Sequence, residues 1–176
     1  MRRSAAAVGS AVFFVVAPGV VAGLVPWLIS GWQLSGPTSP FAIIRMTTGA
    51  ALLIVAVVVL VRGFARFVGE GGGTPAPVAP TERLVVGGDY RFVRNPMYLA
   101  VVTAVLGQAM IFGSLALLLY ALTVWAIMAV FVHWYEEPVL LERYGEQYQR
   151  YRQAVPAWVP RLHPWHADID QASNGN

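Results

Sequence analysis

Residues 97–134 read MYLAVVTAVLGQAMIFGSLALLLYALTVWAIMAVFVHW, a run without Asp, Glu, Lys or Arg that a Gly-Ser pair interrupts. A helix needs about 20 mostly apolar residues to cross a bilayer. The run therefore predicts two membrane spans, 97–112 and 114–134, joined by a tight helical hairpin at FGS 112–114. A re-entrant pair of helices is the alternative interpretation.

The rest of the chain is also unusually apolar. Of its 176 residues, 57% are hydrophobic and only 12% are charged, whereas soluble domains have about 25% charged residues. A soluble fold of this size cannot hide so much apolar surface, and the segments 8–29 and 41–61 are two further candidate spans. We therefore predict an all-α integral membrane helical bundle, with about four transmembrane helices and a C-terminal interfacial amphipathic helix.

The first segment, MRRSAAAVGSAVFFVVAPGVVAGL (1–24), resembles a signal peptide in its basic start and apolar run. The apolar run exceeds the 7–15 residues usual for such a peptide, and no A-x-A cleavage site follows. We expect a retained first helix, kinked by Pro18 and Pro26.

Charge placement predicts the orientation in the membrane. All twelve basic residues are arginine. They precede the first span, lie between the second and third, or follow the fourth, whereas the connection 30–40 is uncharged. Because positive loops stay cytoplasmic, we expect both termini and the active site on the cytoplasmic side of a bacterial plasma membrane. Arg45, near the outer end of the second span, is the exception and is expected to snorkel.

Composition excludes several kinds of chemistry. The chain has no cysteine, which rules out disulfides, thiolate metal sites and cysteine nucleophiles. It has no lysine either, which rules out Schiff-base chemistry and a P-loop lysine. The net charge is only +3, with arginines beside apolar segments. We therefore expect the bilayer, with its anionic headgroups, as a partner, and no nucleic acid.

The chain divides into four predicted regions. These are an N-terminal transmembrane pair (1–66), a Gly/Pro-rich linker (67–81), a core with the hairpin and the amphipathic helix (82–161), and a polar tail (162–176) that is expected to fray. The linker stretch GEGGGTPAPVAP (69–80) is flexible in composition. It lacks the preceding strand and following helix that a dinucleotide-binding fingerprint requires.

Residues 91–98, RFVRNPMY, concentrate charge where the third span begins. Asn is a favoured N-cap and Pro is favoured at the first helical position, so Asn95-Pro96 predicts a helix start. Arg94 would then lie at the mouth of the span, where free N–H groups and the positive end of the helix dipole suit an anionic ligand group. Tyr98, one turn in, could support a bound ring. The simpler alternative is a helix cap with arginines that anchor it to lipid.

A second polar cluster, HWYEEPVLLERYGEQYQRYRQAVPAWVP (133–160), follows the fourth span. Glu136 and Glu137 lie at its inner end, where ionisable residues are costly and usually functional. His133 is expected on the same helical face. A metal site is conceivable, but this spacing matches no recognised ligand set, so we expect none. Pro138 should break or bend the helix.

Beyond Pro138 the sequence predicts an amphipathic helix that ends at Pro156. Its apolar positions form an aromatic stripe, which is typical of a helix that packs on the bilayer surface. The stripe consists of Leu141, Tyr144, Tyr148 and Tyr151.

Together the two clusters resemble the isoprenylcysteine carboxyl methyltransferase family, and more broadly the phospholipid methyltransferase-like membrane enzymes. The resemblance rests on ERLVVGGDYRFVRNPMYLA (82–100) and EEPVLLERYGEQYQRYRQAVPAWVP (136–160), in the family's order and separated by a helical hairpin. It implies an S-adenosylmethionine-dependent methyltransferase without a Rossmann domain. The cofactor would lie between the cytoplasmic ends of the last helices. A lipophilic or lipidated acceptor would enter from the bilayer: a prenylcysteine-like carboxylate, or a lipid amine or hydroxyl.

Carried over by position, the resemblance also implies roles for particular residues. Glu136 would attract the cofactor's sulfonium. Glu137 or His133 would be the candidate catalytic base if the acceptor is an amine. The implied cofactor contacts are Glu82, Arg83, Leu84, Val85, Tyr90, Arg94, Asn95, Pro96, Met97, Tyr98 and Glu136.

Two residues depart from the family pattern and affect the predicted cofactor site and acceptor. Asn95 stands where the family usually has His, and Asn can still donate and accept hydrogen bonds. Val132 stands where members that methylate prenylcysteine carry an Arg, which puts a carboxylate acceptor in doubt. Membrane sterol and steroid reductases that use NADPH have a similar Arg-x-Pro-x-Tyr stretch and are one alternative. A non-enzymatic membrane scaffold is another.

Overall fold

The computed structural model describes residues 16–34, 39–70 and 84–166. Within these ranges the chain forms helices and no strand, so the predicted all-α class is confirmed for that part of the chain. A 3₁₀ turn, Gly88–Arg91, precedes the third helix, and a π turn, Val132–Glu136, joins the fourth to the fifth. The helices are α1 (Val16–Ser30), α2 (Pro40–Glu70), α3 (Pro96–Phe112), α4 (Leu115–Phe131) and α5 (Glu137–Ala154).

The four predicted spans coincide with α1 to α4, although the start of the first one, 8–15, lies outside the described residues. By length and composition, two segments are able to cross a membrane: Pro40–Arg66, and the continuous helix Leu115–Ala154 that contains α4. α1 and α3 are shorter apolar helices. At 1.5 Å per residue, α3 is about 26 Å long, slightly less than the bilayer core. The number of complete spans stays a prediction.

The hairpin between α3 and α4 is as tight as predicted. Gly113 ends α3 with a φ of 63°, in the left-handed region that favours glycine. The Ser114 hydroxyl accepts a 3.3 Å hydrogen bond from the Leu117 N–H and so caps α4. The position of the Arg45 side chain differs from the predicted one. Its guanidinium donates to the Met110 carbonyl at the end of α3 rather than snorkelling to lipid, because the last carbonyls of a helix lack partners.

Helices α2 and α3 pack antiparallel with their backbones in close contact. A Cβ atom added to Gly49 would lie 2.6 Å from the Gly107 carbonyl oxygen, and one added to Gly107 would lie 2.7 Å from the Gly49 carbonyl oxygen. At the opposite end of the pair, the Met97 side chain lies over Gly63. Small residues permit this approach, as in other membrane helix pairs.

Helix α1 has the predicted irregularity, in the form of a π turn just before Pro26. Because Pro26 has no N–H, the preceding turn needs donors from elsewhere. The Gln108 side-chain amide donates to the Ala22 carbonyl at 2.7 Å, and the Tyr120 hydroxyl donates to the Val21 carbonyl at 3.0 Å. These two bonds attach α1 to the hairpin.

The helix does not break at Pro138, so that alternative of the prediction is wrong, whereas a bend there stays a prediction. A π turn precedes the proline, with the Glu137 N–H bonded to the Val132 carbonyl, and Pro138 then occupies the first turn of α5. Within this continuous helix the wider π turn, rather than a helix start, accommodates the ring and the missing N–H of the proline. The helical geometry is interrupted later, at Gly145 (φ 52°, ψ −127°).

The aromatic stripe of α5 faces protein rather than the bilayer, which is a second correction. Tyr148 and Tyr151 are each only 3% exposed and pack with Val155, whereas Leu141 is exposed. The non-helical geometry of Gly145 changes the phase of the helix between Leu141 and the tyrosines. The partly buried residues around the cluster are Leu84, Val86, Leu140, Tyr144, Ala154 and Trp165.

Candidate functional site

The two predicted clusters meet at one end of the bundle. Because α3 and α4 form an antiparallel hairpin, the start of α3 lies beside the end of α4. There the Tyr98 hydroxyl donates a 2.9 Å hydrogen bond to Oε2 of Glu136. Both residues are half-buried. The bond fixes a carboxylate of the second cluster against the first turn of α3.

Asn95 occupies the predicted N-cap position but does not cap the helix. α3 begins at Pro96 as predicted, yet the Asn95 side-chain amide donates to the Ala157 carbonyl at 3.1 Å. Asn95 is 7% exposed. The N–H groups of Met97 and Tyr98 have no hydrogen-bond partner within the described ranges. The start of α3 thus presents free donors at the positive end of its dipole.

Arg94 and Glu137 form a buried ion pair beside this helix start. Nη1 of Arg94 lies 2.6 Å from Oε1 of Glu137 and 3.1 Å from the Tyr148 hydroxyl. Arg152 approaches the other carboxylate oxygen at 3.3 Å. With both oxygens in ion pairs, Glu137 is poorly arranged for its predicted role as a base. The buried Nε of Arg94 has no partner in the part of the chain that the structure describes.

His133 does not join the two carboxylates. It is exposed, and its ring packs edge-on against Trp134 at 5.5 Å. Among the residues of 84–166 it makes no hydrogen bond or ion pair with Glu136 or Glu137. The prediction of a shared face assumed regular α-helical spacing, which the π turn alters by adding a residue to the turn.

The predicted contacts at 84–90 line the same end of the bundle. Val85 and Tyr90 are buried, and Leu84 is half-buried against the α5 tyrosines. The Tyr90 carbonyl accepts a 2.7 Å hydrogen bond from the Tyr151 hydroxyl. Burial raises the pKa of Tyr90 well above its usual range, so the phenol stays protonated.

The remaining predicted contacts fall into two groups. Glu82 and Arg83 lie outside the described residues. Pro96 and Met97 face α2: Met97 contacts Gly63, and Pro96 lines a cavity between the two helices.

The cavity has a volume of about 220 Å³ and an almost entirely apolar lining. Its one charged residue is Asp89, which pairs with Arg62 at 3.3 Å. Helices α2 and α3 form its walls, and the C-terminal segment covers one side. The lining residues are Val55, Ala56, Val59, Asp89, Phe92, Val93, Pro96, Leu99, Ala100, Thr103 and Pro160.

Three contributors to this site were not predicted. Arg152 follows Tyr148 by four residues, so helical spacing could have indicated that both face Arg94. Asp89 lies within the first motif, but nothing in the sequence indicated its cavity. The role of the Ala157 carbonyl could not be predicted, because every residue has a backbone carbonyl and the sequence does not distinguish one from another.

Comparisons with known proteins agree with this geometry. Residues 44–147 match the family model described as phospholipid methyltransferase, which covers more than half of the chain. A Protein-S-isoprenylcysteine O-methyltransferase of Schizosaccharomyces pombe is 33% identical over 80 residues, which are 45% of this chain and 34% of that protein. Protein-S-isoprenylcysteine O-methyltransferase B of Arabidopsis thaliana is 34% identical over 79 residues, which are 44% and 40%.

The matched segment thus spans well under half of either relative. The family model, in contrast, covers α2 to α4 and reaches into α5, including both the Asn95 and Glu136 clusters. The resemblance stated from the two motifs is confirmed, and the chain belongs to the phospholipid methyltransferase family.

Proposed function

We propose that the chain is an integral membrane, S-adenosylmethionine-dependent methyltransferase that acts on a lipophilic acceptor. The hydrogen bond between Tyr98 and Glu136 carries this proposal, because it holds a half-buried carboxylate in one orientation beside the free N–H groups of α3. The lengths of Pro40–Arg66 and Leu115–Ala154 support the membrane location. The cytoplasmic orientation rests on charge placement alone.

The groups at this end of the bundle fit the cofactor's charges. S-adenosylmethionine carries a sulfonium cation and a carboxylate anion. Glu136 has one oxygen bonded to Tyr98, and its negative charge complements the sulfonium. The N–H groups of Met97 and Tyr98, which have no hydrogen-bond partner among the described residues, suit the carboxylate. When bound, the cofactor supplies an electrophilic methyl group.

The protein's own contribution is mainly alignment. Tyr98 fixes the direction of the Glu136 carboxylate, and the ion pair with Glu137 fixes the Arg94 side chain. Groups held in this way align reactants without further loss of entropy. Because Glu137 forms two ion pairs, we propose that it positions the Arg94 side chain instead of acting as the base. A base role for His133 stays a prediction that its exposed position does not support.

The cavity between α2 and α3 is the proposed acceptor site. At about 220 Å³ it is smaller than the roughly 300–1,000 Å³ typical of small-molecule sites, so it holds part of a lipid. Its charged lining residue, Asp89, is paired with Arg62, so the cavity offers a carboxylate no uncompensated positive charge. Val132, buried where prenylcysteine methyltransferases carry an Arg, offers no countercharge. We therefore favour a lipid amine or hydroxyl over the carboxylate class.

Ligand binding to the chain in lipid nanodiscs tests the proposal. We expect saturable binding of radiolabelled S-adenosylmethionine and none of NADPH. Binding of NADPH alone would favour the reductase, and binding of neither would favour a scaffold. Incubation of lipid extracts with the labelled cofactor, followed by mass separation, would then identify the acceptor. Label in a prenylcysteine carboxylate would contradict the inference from Asp89 and Val132.

A further inference from the structure

The segment 156–164, here called the C-terminal strap, is tied to the start of α3 by backbone hydrogen bonds. The Arg94 N–H donates to the Pro156 carbonyl at 2.9 Å, and the Arg161 N–H donates to the Phe92 carbonyl at 2.9 Å. Just past the strap, the Trp165 N–H donates to the Arg91 carbonyl. The strap therefore has a fixed course along 91–95.

That course brings the strap beside apolar stretches of the helices. The Trp158 ring packs edge-on against Trp125 of α4, with centroids 6.2 Å apart. Trp125 lies six residues, or about 9 Å, before the end of α4 at Phe131. On the α2 side, Pro160 lines the cavity together with Ala56. The strap thus reaches from α4 to α2 across the polar end of the bundle, with the Trp158 side chain and Pro160 in contact with its apolar part.

Two aliphatic side chains of the strap point away from the protein. Val159 is 72% exposed and Leu162 is 92% exposed. Arg161, which lies between them, turns back and donates from Nη1 to the Ala154 carbonyl at 2.8 Å. The charged group is thereby directed to the end of α5, and the outward side chains from Val159 to Leu162 are apolar. The next residue, His163, is also exposed and adds a polar group at the edge of this surface.

The strap's backbone is suited to the polar boundary of a bilayer rather than to its hydrocarbon core. Pro156, Pro160 and Pro164 have no N–H to satisfy, and the Ala157 carbonyl accepts from the Asn95 side chain. The N–H groups at 157–159, 162 and 163 have no hydrogen-bond partner among the described residues. They therefore need headgroups or water as acceptors, which the hydrocarbon core does not offer.

We propose that the strap inserts Val159 and Leu162 into the acyl-headgroup boundary of the bilayer. The inference rests on the membrane location in the proposed function, since the strap contacts α4 through Trp158 and lies beside α2 at Pro160. Because Pro160 also lines the cavity, the inserted strap lies between the cavity and the lipid. A lipophilic acceptor from the bilayer then has to pass beside it.

The absence of cysteine allows each position to be probed with a single introduced thiol. A bimane fluorophore would be attached to Leu162→Cys in nanodiscs that contain brominated phospholipids, which quench only dyes within the bilayer. Val57→Cys, on the exposed face of α2, is the membrane reference, and Gln147→Cys, exposed on α5, is the aqueous reference. We expect quenching at Leu162→Cys comparable to that at Val57→Cys. Reaction with a membrane-impermeant maleimide should be at least tenfold slower than at Gln147→Cys.

The references separate two kinds of failure. Quenching at Val57→Cys with a water-exposed Leu162→Cys would overturn the strap insertion and leave the membrane location intact. An unquenched Val57→Cys would overturn the membrane location itself. Because Leu162 is 92% exposed, protein burial cannot account for slow labelling there. Val159→Cys gives an independent repeat should the first variant fail to fold.

Discussion

The guanidinium of Arg94 and the carboxylate of Glu137 lie 2.6 Å apart across 43 residues of sequence. Their side chains are only 11% and 9% exposed. The pair joins the start of α3 to the start of α5 and thus connects the two family motifs directly. Loss of one partner would leave the other charge buried without compensation, which is usually more harmful than loss of both.

We therefore expect Glu137→Gln to lower the stability of the folded chain by about 3 kcal/mol. Thermal unfolding in detergent, followed by tryptophan fluorescence, would measure it. Glu146→Gln is the matched control, because its pair with Arg150 is solvent-exposed at 83% and 65% and such pairs contribute little. Lost turnover with an unchanged unfolding midpoint would instead restore Glu137 as a base.

For Glu136→Gln we expect at least tenfold weaker binding of S-adenosylmethionine, about 1.4 kcal/mol or more. The amide preserves the shape and a hydrogen bond with Tyr98 but removes the charge that complements the sulfonium. Equilibrium binding of labelled cofactor in nanodiscs is the measurement. Glu142→Gln, the same change at an exposed position of α5, should bind normally. A folded Glu136→Gln variant with undiminished affinity would remove Glu136 from the site.

Tyr98→Phe should weaken cofactor binding less than Glu136→Gln, by about 1 kcal/mol or roughly fivefold. The ring remains, but the Glu136 carboxylate loses the donor that fixes its direction. Tyr135→Phe removes a hydroxyl from the exposed neighbour of Glu136 and serves as the control. Equal losses in the two variants would indicate that the tyrosine hydroxyls act nonspecifically.

Gly107→Ala should force α2 and α3 apart, because the new methyl group would lie 2.7 Å from the Gly49 carbonyl oxygen. We expect a lower midpoint of thermal unfolding. We also expect faster cleavage by protease in detergent, because α2 would pack less tightly against the hairpin of α3 and α4. Gly23→Ala is the matched control, since nothing lies within 4 Å of a Cβ atom there. It should be neutral or slightly stabilising in a helix. A Gly107→Ala variant as stable as wild type would show that the contact relaxes freely.

Local signals predicted most of the fold and part of the site. Apolar length located the helices, Gly113-Ser114 located the hairpin, and Asn95-Pro96 located the start of α3. Each of these depends on residues next to one another in the chain. Once the hairpin of α3 and α4 is predicted, the proximity of Tyr98 to Glu136 follows from it.

The predictions that failed concern side chains whose position is set by a partner distant in the sequence or by a local irregularity of the helix. The Asn95 side chain does not cap α3 and is instead held by a bond to the Ala157 carbonyl, which arrives with the strap. Arg45 donates to a carbonyl at the end of α3, a helix that is distant from it in the sequence. The face of His133 depended on a turn of π geometry that periodic spacing does not anticipate. The cavity beside Pro96 depends on how α2 and α3 pack together, which no single segment encodes.

The α2–α3 pair is stiff at one end and compliant at the other. Near Met110 the helices are clamped, backbone to backbone at Gly49 and through Arg45 at the helix terminus. Near Pro96 the intervening group is the flexible thioether side chain of Met97. We therefore expect any separation of the two helices to pivot about the glycine contact. It would be greatest at the Met97 end, beside the cavity that Pro96 lines.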